Sequence, residues 1–144
     1  MEILMKPIGY IRSPYKDKTA APKQGTPSEG TTAAIEILEE YKEGIADIKE
    51  GEYGIILFYF HKSEGYKLTT PSAKSNKIMG VFSTRSPNRP NGIGMSIVRF
   101  IKKENNRLIF EGVDMLDGTP VLDIKPYSKE LCPKDIAPPK DLLS

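Results

Sequence analysis

Residues 53–61, which read YGIILFYFH, form the most apolar stretch of the chain and decide its fold class. Aromatic and β-branched side chains fill this stretch, a composition typical of a strand that is buried on both faces or nearly so. The run is much shorter than the roughly 18 apolar residues that a membrane-spanning helix requires. We therefore predict a central β-strand here and no transmembrane segment.

Shorter runs of strand-forming residues flank the central stretch on both sides. They lie at residues 6–12 and 31–38 before it, and at 78–83, 95–102, 108–113 and 119–124 after it. Turn-forming residues at 104–106 and 116–118 separate the last three runs. Polar segments rich in Pro, Gly, Ser and Thr, at 16–30 and 62–77, predict two long surface loops. Loops of this length are usually functional or disordered.

About seven short strands and little helix indicate a mainly β protein. This pattern suits either a sandwich or a closed antiparallel barrel, and closure has the advantage of removing exposed sheet edges. Residues 39–48 add a turn or short helix in which Tyr41, Ile45 and Ile48 share one face. The chain has no βαβ alternation, which disfavours a Rossmann-type nucleotide site.

Length and composition limit the possible domain organisation and location. A chain of 144 residues fits one compact domain, so we expect residues 1–144 to form a single unit with a C-terminal tail from about residue 128. The single cysteine, Cys132, cannot form an internal disulfide, which favours the cytoplasm. No signal peptide is expected, because Lys6 interrupts the apolar start of the chain. The net charge of +2 does not by itself indicate a nucleic-acid-binding protein.

The densest chemical signal is the segment 83–96, which reads STRSPNRPNGIGMS. Its two prolines fix φ, and its two glycines permit backbone geometries that other residues avoid. Arg85, Arg89 and Asn91 then project from a stiff frame. Guanidinium groups match phosphates and carboxylates, while amides can read a nucleobase edge, so the segment is typical of a binding loop. A surface turn that merely joins two strands is the alternative.

A second cluster lies at residues 114–127, which read DMLDGTPVLDIKPY. It contains three carboxylates, Asp114, Asp117 and Asp123, close to apolar runs. These groups could accept hydrogen bonds from a ribose or an ammonium group, or act as a base. Asp117 followed by Gly118 is by itself more typical of a tight hairpin turn. The sequence leaves these possibilities open.

His61 is the only histidine of the chain and follows the most apolar stretch. A histidine in this position is more often a structural hydrogen-bonding residue than a catalyst. With one histidine, one cysteine and no paired ligand spacing, we predict no metal site. The chain also lacks the G-x-S-x-G motif of many hydrolases and has no P-loop. Lysines scattered through the polar loops either neutralise phosphates or form a solvated face.

Three phrases resemble the signatures of the TrmO family of S-adenosylmethionine-dependent tRNA methyltransferases. They are PIGYIRSPY at 7–15, GVFSTRSPNRPNGIGMS at 80–96 and DMLDGTPVLDIKPY at 114–127. The resemblance is to the short, archaeal-like form, and it implies a single-sheeted antiparallel β-barrel that works as a homodimer with S-adenosyl-L-methionine near the subunit interface. It also implies methylation of the exocyclic nitrogen of threonylcarbamoyl-adenosine, the base just 3′ of the anticodon in threonine tRNA.

The same resemblance implies which residues form the site. The cofactor pocket would be lined by Lys23, Gln24, His61, Lys62, Arg85, Met95, Asp117, Gly118, Thr119 and Pro120. Arg89 and Asn91 would contact the substrate, here a tRNA. The candidates for a catalytic role are Arg85, Asp114 and Asp117, and none of them is singled out as the proton acceptor. The alternative function is a non-catalytic module that binds S-adenosylmethionine or RNA on the same barrel.

Overall fold

Eight short strands dominate the computed structural model, which describes residues 1–16, 31–128 and 130. The strands are β1 (Gly9–Arg12), β2 (Thr32–Ile37), β3 (Tyr53–Tyr59), β4 (Thr69–Pro71), β5 (Ile78–Gly80), β6 (Ile93–Glu104), β7 (Arg107–Glu111) and β8 (Pro120–Pro126). Short 3₁₀ helices cover Glu39–Ile45, Val81–Ser83 and Pro90–Gly92. The prediction of a mainly β protein with little helix is confirmed. None of the helices in these described ranges is long and apolar enough to cross a membrane.

Six of the strands close into an antiparallel barrel with the order β1–β2–β7–β6–β3–β8. β1 closes the ring, because Gly9 lies opposite Ile37 of β2 on one side and opposite Val121 of β8 on the other. The barrel sheet therefore holds six strands, fewer than the predicted seven. The difference arises because β4 and β5 pair with each other in a separate two-stranded ribbon.

Burial alternates along β3 and gives the barrel its core. Gly54, Ile56 and Phe58 are buried, whereas Ile55 and Leu57 are partly exposed on the outer surface. The prediction of burial on both faces or nearly so holds for the inner face, whereas on the outer face Ile55 and Leu57 are only partly buried. Inward-facing side chains from the other strands complete the core, including Ile11, Ile35, Val98, Leu108, Phe110 and Val121. Burying each of these large side chains stabilises the fold by about 1.5–3 kcal/mol.

Several predicted boundaries shift in the structure. β1 begins at Gly9 rather than at residue 6, and β6 extends to Ile93–Glu104, beyond the predicted 95–102. The predicted loop at 62–77 contains β4, which was missed because its three residues show no alternation. The predicted run at 78–83 ends as a strand at Gly80, since Val81–Ser83 turns into a 3₁₀ helix.

Two predicted connections are confirmed. Residues 39–48 contain the 3₁₀ helix Glu39–Ile45, in which Ile45 is buried and Tyr41 and Ile48 pack against the core. The turn between β6 and β7 has Asn105 in the left-handed region, with φ of 54°. Asparagine tolerates that conformation better than most residues, so it suits a tight hairpin.

The antiparallel pairing decides which loops lie together. Because neighbouring strands run in opposite directions around the ring, the ends of β1, β3 and β7 share one rim with the starts of β2, β6 and β8. The register agrees, since Tyr59 lies opposite Ile93 and Phe58 lies opposite Val121. We call this end of the barrel the loop rim. The helix Glu39–Ile45 follows β2 and lies at the other end.

Candidate functional site

Both loop clusters singled out in the sequence reach the loop rim. Residues 84–92, here called the hook, lead into β6, and residues 116–119, the Asp117 turn, lead into β8. His61 follows β3 at the same rim, and its Nε2 lies 3.9 Å from the point where a Cβ on Gly118 would stand. The barrel thus brings His61 against a turn more than fifty positions away in sequence.

The Asp117 turn is bound to the segment that follows β1. Asp117 Oδ1 accepts a hydrogen bond from the Ser13 N–H at 3.0 Å, and Oδ2 pairs with Lys16 Nζ at 3.0 Å. The Gly118 N–H donates to the Ile11 carbonyl at 2.7 Å, and Gly118 has φ of 79°, which favours glycine. β7 and β8 are not neighbours in the barrel, so the interpretation of this turn as a simple hairpin is wrong.

The environment of Asp117 favours its charged form. Burial alone would raise the pKa of this carboxyl group, but the hydrogen bond from Lys16 and the Ser13 N–H, with the Lys16 charge, lower the pKa below its ordinary 3.8. A lowered folded-state pKa adds stability that is present above the unfolded pKa and is lost as pH falls through the folded pKa.

We expect Asp117→Asn to lower the free energy of unfolding at pH 7 by about 0.2–1 kcal/mol, the range of partly exposed ion pairs. The difference from the natural protein should shrink as pH falls from the ordinary carboxyl value of 3.8 down through the lowered folded-state pKa of Asp117, because the protonated aspartate is then neutral like asparagine. Urea denaturation at pH 7 and at steps through the acid range measures this. A difference that stays constant with pH would show that the amide itself, and not the missing charge, disturbs the turn.

The hook is held in shape by its own arginine. Arg89 Nη1 donates to the Thr84 carbonyl at 2.7 Å and to the Ser86 carbonyl at 3.4 Å. Asn91 and Gly92 both have positive φ, 69° and 55°, so the chain makes a tight reversal just before β6. Arg89 and Asn91 are the two predicted substrate contacts. Of these, Arg89 is bound to the backbone of the hook, whereas Asn91 is exposed at its tip.

A recess of about 140 Å³ lies between the hook and the barrel. Its wall is made by Phe60, Thr84, Arg85, Arg89, Ile93, Gly94 and Met95. Gly94 is required here, since a Cβ at this position would come within 2.5 Å of the Phe58 ring and 2.8 Å of the Phe60 ring. Those two rings meet edge to face at 5.1 Å. The structure places the predicted cofactor residues Arg85 and Met95 at the same recess.

Asp114 lies inside the wall of the barrel rather than on the rim surface. Its side chain is buried, and its Oδ1 accepts a hydrogen bond from Ser96 Oγ of β6 at 2.7 Å. Next to it, the Met115 carbonyl accepts a hydrogen bond from Ser13 Oγ at 2.8 Å. These bonds join the segment before β8 to β6 and to the loop after β1. The geometry favours Asp114 as a residue that holds the rim together.

His61 and Lys62 extend the same network. Burial, followed by the nearby Lys62 charge, lowers the pKa of His61 below its ordinary 6.5, so the imidazole is neutral at pH 7. Lys62 Nζ donates to the Lys16 carbonyl at 3.1 Å, and Lys16 in turn pairs with Asp117. A neutral imidazole beside an ion pair can accept or donate a hydrogen bond to a polar ligand.

Comparison with known proteins decides the family. Residues 10–132 match the family described as the tRNA-methyltransferase O N-terminal domain. The chain belongs to the TrmO family. A probable S-adenosyl-L-methionine-binding protein of Pyrococcus abyssi is 40% identical over 128 residues, which cover 89% of this chain and 70% of that protein. The tRNA (adenine(37)-N6)-methyltransferase of Mus musculus is 39% identical over 132 residues, 87% of this chain and 31% of the mouse protein.

The fold also matches a solved TrmO. The crystal structure of TrmO from Pseudomonas aeruginosa aligns with a TM-score of 0.78 at 37% identity, covering 96% of this chain. The chain spans 61% of the length of that Pseudomonas TrmO. The resemblance of the three sequence phrases to the TrmO family is thus confirmed.

The structure groups the TrmO-derived site predictions into two sets on one rim. Arg85, Met95 and Arg89 lie at the recess, whereas His61, Lys62 and the Asp117 turn lie along the segment after β1. Thr119 is buried, and its Oγ1 donates to the Leu116 carbonyl at 2.6 Å, while Pro120 begins β8 opposite Tyr10. Lys23 and Gln24 lie outside the described residues. For all of these residues, a contact with the cofactor stays a prediction.

Sequence reasoning missed three residues of this rim. Ser13 and Lys16 hold the Asp117 carboxylate, and Phe60 lines the recess, yet none of these roles was predicted. Ser13 belongs to the first TrmO-like phrase, which carried a signal that was not used. Phe60 was counted only as part of an apolar strand. In residues 1–16, 31–128 and 130, no group of three or more His, Cys, Asp or Glu side chains could hold a metal ion.

Proposed function

We propose that this chain transfers the methyl group of S-adenosyl-L-methionine to the exocyclic nitrogen of the tRNA adenosine just 3′ of the anticodon. The observation that carries the proposal is the position of the hook, His61 and the Asp117 turn on one rim of the barrel. The printed names of the Pyrococcus and mouse relatives support a cofactor and a reaction of this kind.

The chemistry of the rim fits the cofactor. S-adenosyl-L-methionine needs a partner for its carboxylate, acceptors for its ammonium and ribose hydroxyls, and apolar surface for its adenine ring and the methylene groups beside its sulfonium. The recess offers the Arg85 guanidinium, Phe60 and Met95. The Asp117 turn offers backbone carbonyls, and the His61 imidazole lies against that turn. At about 140 Å³ the recess is smaller than the usual ligand cleft of about 300–1,000 Å³, so it would take one part of the cofactor.

The remainder of the cofactor would lie across the rim or against a second subunit. We therefore propose that residues 1–144 act as one domain of a homodimer, with the two halves of each site meeting at the subunit interface. The modified base threonylcarbamoyl-adenosine in threonine tRNA is the substrate that we propose. Its threonine carboxylate would suit a cationic rim. We place the reaction in the cytoplasm.

Positioning dominates the mechanism that we propose. When bound, S-adenosyl-L-methionine would supply an electrophilic methyl group, which would pass from its sulfonium sulfur to the substrate nitrogen as the sulfur–methyl bond breaks. The nitrogen then loses a proton. Arg85 would hold a carboxylate with two parallel hydrogen bonds, and the turn would hold polar groups through its backbone. Holding two reactants in line can lower the barrier by about 7–11 kcal/mol, so no strong base is required.

Methyl transfer from labelled cofactor tests the proposal. The purified protein is incubated with S-adenosyl-L-methionine labelled in the methyl group and with unfractionated tRNA, and digested nucleosides are separated. We expect label in a methylated threonylcarbamoyl-adenosine. A second tRNA sample, from cells that lack the threonylcarbamoyl group, decides whether that group is required. Label in another nucleoside would contradict the substrate assignment, and cofactor binding without any transfer would favour the alternative of a non-catalytic binding module.

A further inference from the structure

Positive charge is concentrated in residues 62–89, here called the basic segment. It contains six lysines and arginines and one glutamate, although the whole chain has a net charge of only +2. The remainder of the chain is therefore net acidic. At the opposite end of the barrel, a cavity of about 580 Å³ is lined by five carboxylates, Glu40, Glu43, Asp47, Glu52 and Asp123, and by one lysine, Lys125. Such a separation of charge directs a polyanion to the loop rim.

The basic segment includes the ribbon formed by β4 and β5. The ribbon's turn carries Lys74 and Lys77, and the Ser72 N–H closes it by donating to the Lys77 carbonyl at 2.8 Å. A groove of about 710 Å³ runs between this turn and the hook, lined by Lys74 on one side and Arg85 on the other. Cations on both walls of one groove are the arrangement that proteins use to follow a single-stranded nucleic-acid backbone.

Phe82 stands at the same groove with its ring exposed. Its relative accessibility is 72%, although the adjacent Val81 is buried at 1%. The Val81 N–H donates to the Leu68 carbonyl at 2.8 Å, which fixes the base of the ribbon to the chain below Phe82. The Arg89 guanidinium lies 5.9 Å from the centre of the Phe82 ring, and the hook backbone holds that guanidinium in turn. An exposed aromatic ring on a fixed frame suits base stacking.

We propose that the basic segment is an RNA-docking surface in which Phe82 stacks on an unpaired base next to the methylated adenosine, while Lys74 and Lys77 contact the phosphates. The proposal rests on the function proposed above. A base that enters an enzyme pocket leaves its stack, and its neighbour then lacks a stacking partner. Stacking on an aromatic ring is worth about 1–3 kcal/mol per base, or roughly 5- to 150-fold in affinity.

A second copy of the chain is the other occupant to consider for an exposed apolar ring. The cores of interfaces between protein subunits are depleted in lysine, whereas this surface carries Lys67, Lys74 and Lys77. A two-fold symmetric contact centred here would also place two segments of the same strong positive charge against each other. Charge complementarity therefore favours RNA over a second copy.

Binding of labelled tRNA at several salt concentrations, without cofactor, tests this surface. We expect Phe82→Ala to weaken binding at least about 5-fold with an unchanged salt slope, and Phe82→Tyr to bind like the natural protein. The double variant Lys74→Ala, Lys77→Ala should have a salt slope shallower by about 1.4, at roughly 0.7 per phosphate contact on a single strand. Tyr53→Ala, an exposed aromatic at the opposite end of the barrel, is the matched control and should bind normally.

Unchanged tRNA affinity in Phe82→Ala would overturn the proposal. So would a weakened affinity that accompanies a change of oligomeric state in sedimentation, since the face would then be an interface between copies. The binding measurement also separates this inference from the proposed function. If the natural protein binds tRNA through these residues but transfers no label, the docking surface stands and the methyl transfer fails.

Discussion

Replacing Arg85 with alanine is expected to lower the rate of methyl transfer to tRNA about 100-fold, the size of effect that a misplacement of about 1 Å produces. Arg85 lines both the small recess beside Met95 and the larger groove beside Lys74, so it lies between the proposed sites of cofactor and RNA. Loss of the Arg85 guanidinium would leave an anionic group of either ligand without its hydrogen-bonding partner. Single-turnover rates and equilibrium dialysis of labelled cofactor measure the chemical step and binding separately.

Two variants make the Arg85 result specific. Arg85→Lys keeps the charge but not the two parallel donors, so we expect a smaller loss than with alanine. Arg99→Ala removes an arginine from the outer wall, where it pairs with Glu111 at 3.1 Å, and should leave the rate unchanged. If Arg85→Ala binds the cofactor and methylates tRNA as well as the natural protein does, Arg85 is not part of the site.

The sequence predicted the fold class because alternation and turn chemistry are local properties. The hairpin at Asn105 and the short helix at Ile45 were predictable from a few neighbouring residues. The register of β3 against β8 was not, because strand partners far apart in sequence leave no local signal. The ribbon was missed for another reason, since the three residues Thr69–Pro71 show no alternation and become a strand only by pairing with Ile78–Gly80.

The candidate site was predictable to a different extent. The hook and the Asp117 turn could be singled out because Pro, Gly, Arg and Asp cluster there at high density. The two segments share a rim because the antiparallel strands close into a barrel. Composition alone does not distinguish such a barrel from a sandwich. The role of Ser13 and Lys16 in holding Asp117 depends on a contact across about a hundred positions, which only the fold reveals.

Phe58→Ala is expected to lower the free energy of unfolding by about 3–5 kcal/mol, a large part of the 5–15 kcal/mol of a typical domain. The Phe58 ring is 2% exposed, packs edge to face on Phe60, and covers the backbone of Gly94. Removal leaves a cavity directly beneath the start of β6. Urea denaturation followed by circular dichroism measures the loss, with an unchanged slope against urea showing that the unfolded state is unaffected.

The same strand provides the control for this prediction. Tyr59 is the next residue and points outward with 44% exposure, so Tyr59→Ala should cost less than about 1 kcal/mol. Equal losses for the two variants would contradict the alternation of faces along β3. Because Phe60 and Gly94 both line the recess, a folded Phe58→Ala protein should also bind the cofactor more weakly than Tyr59→Ala. Phe58→Leu fills part of the space and should recover part of the stability and of the binding, because leucine leaves a smaller cavity than alanine does.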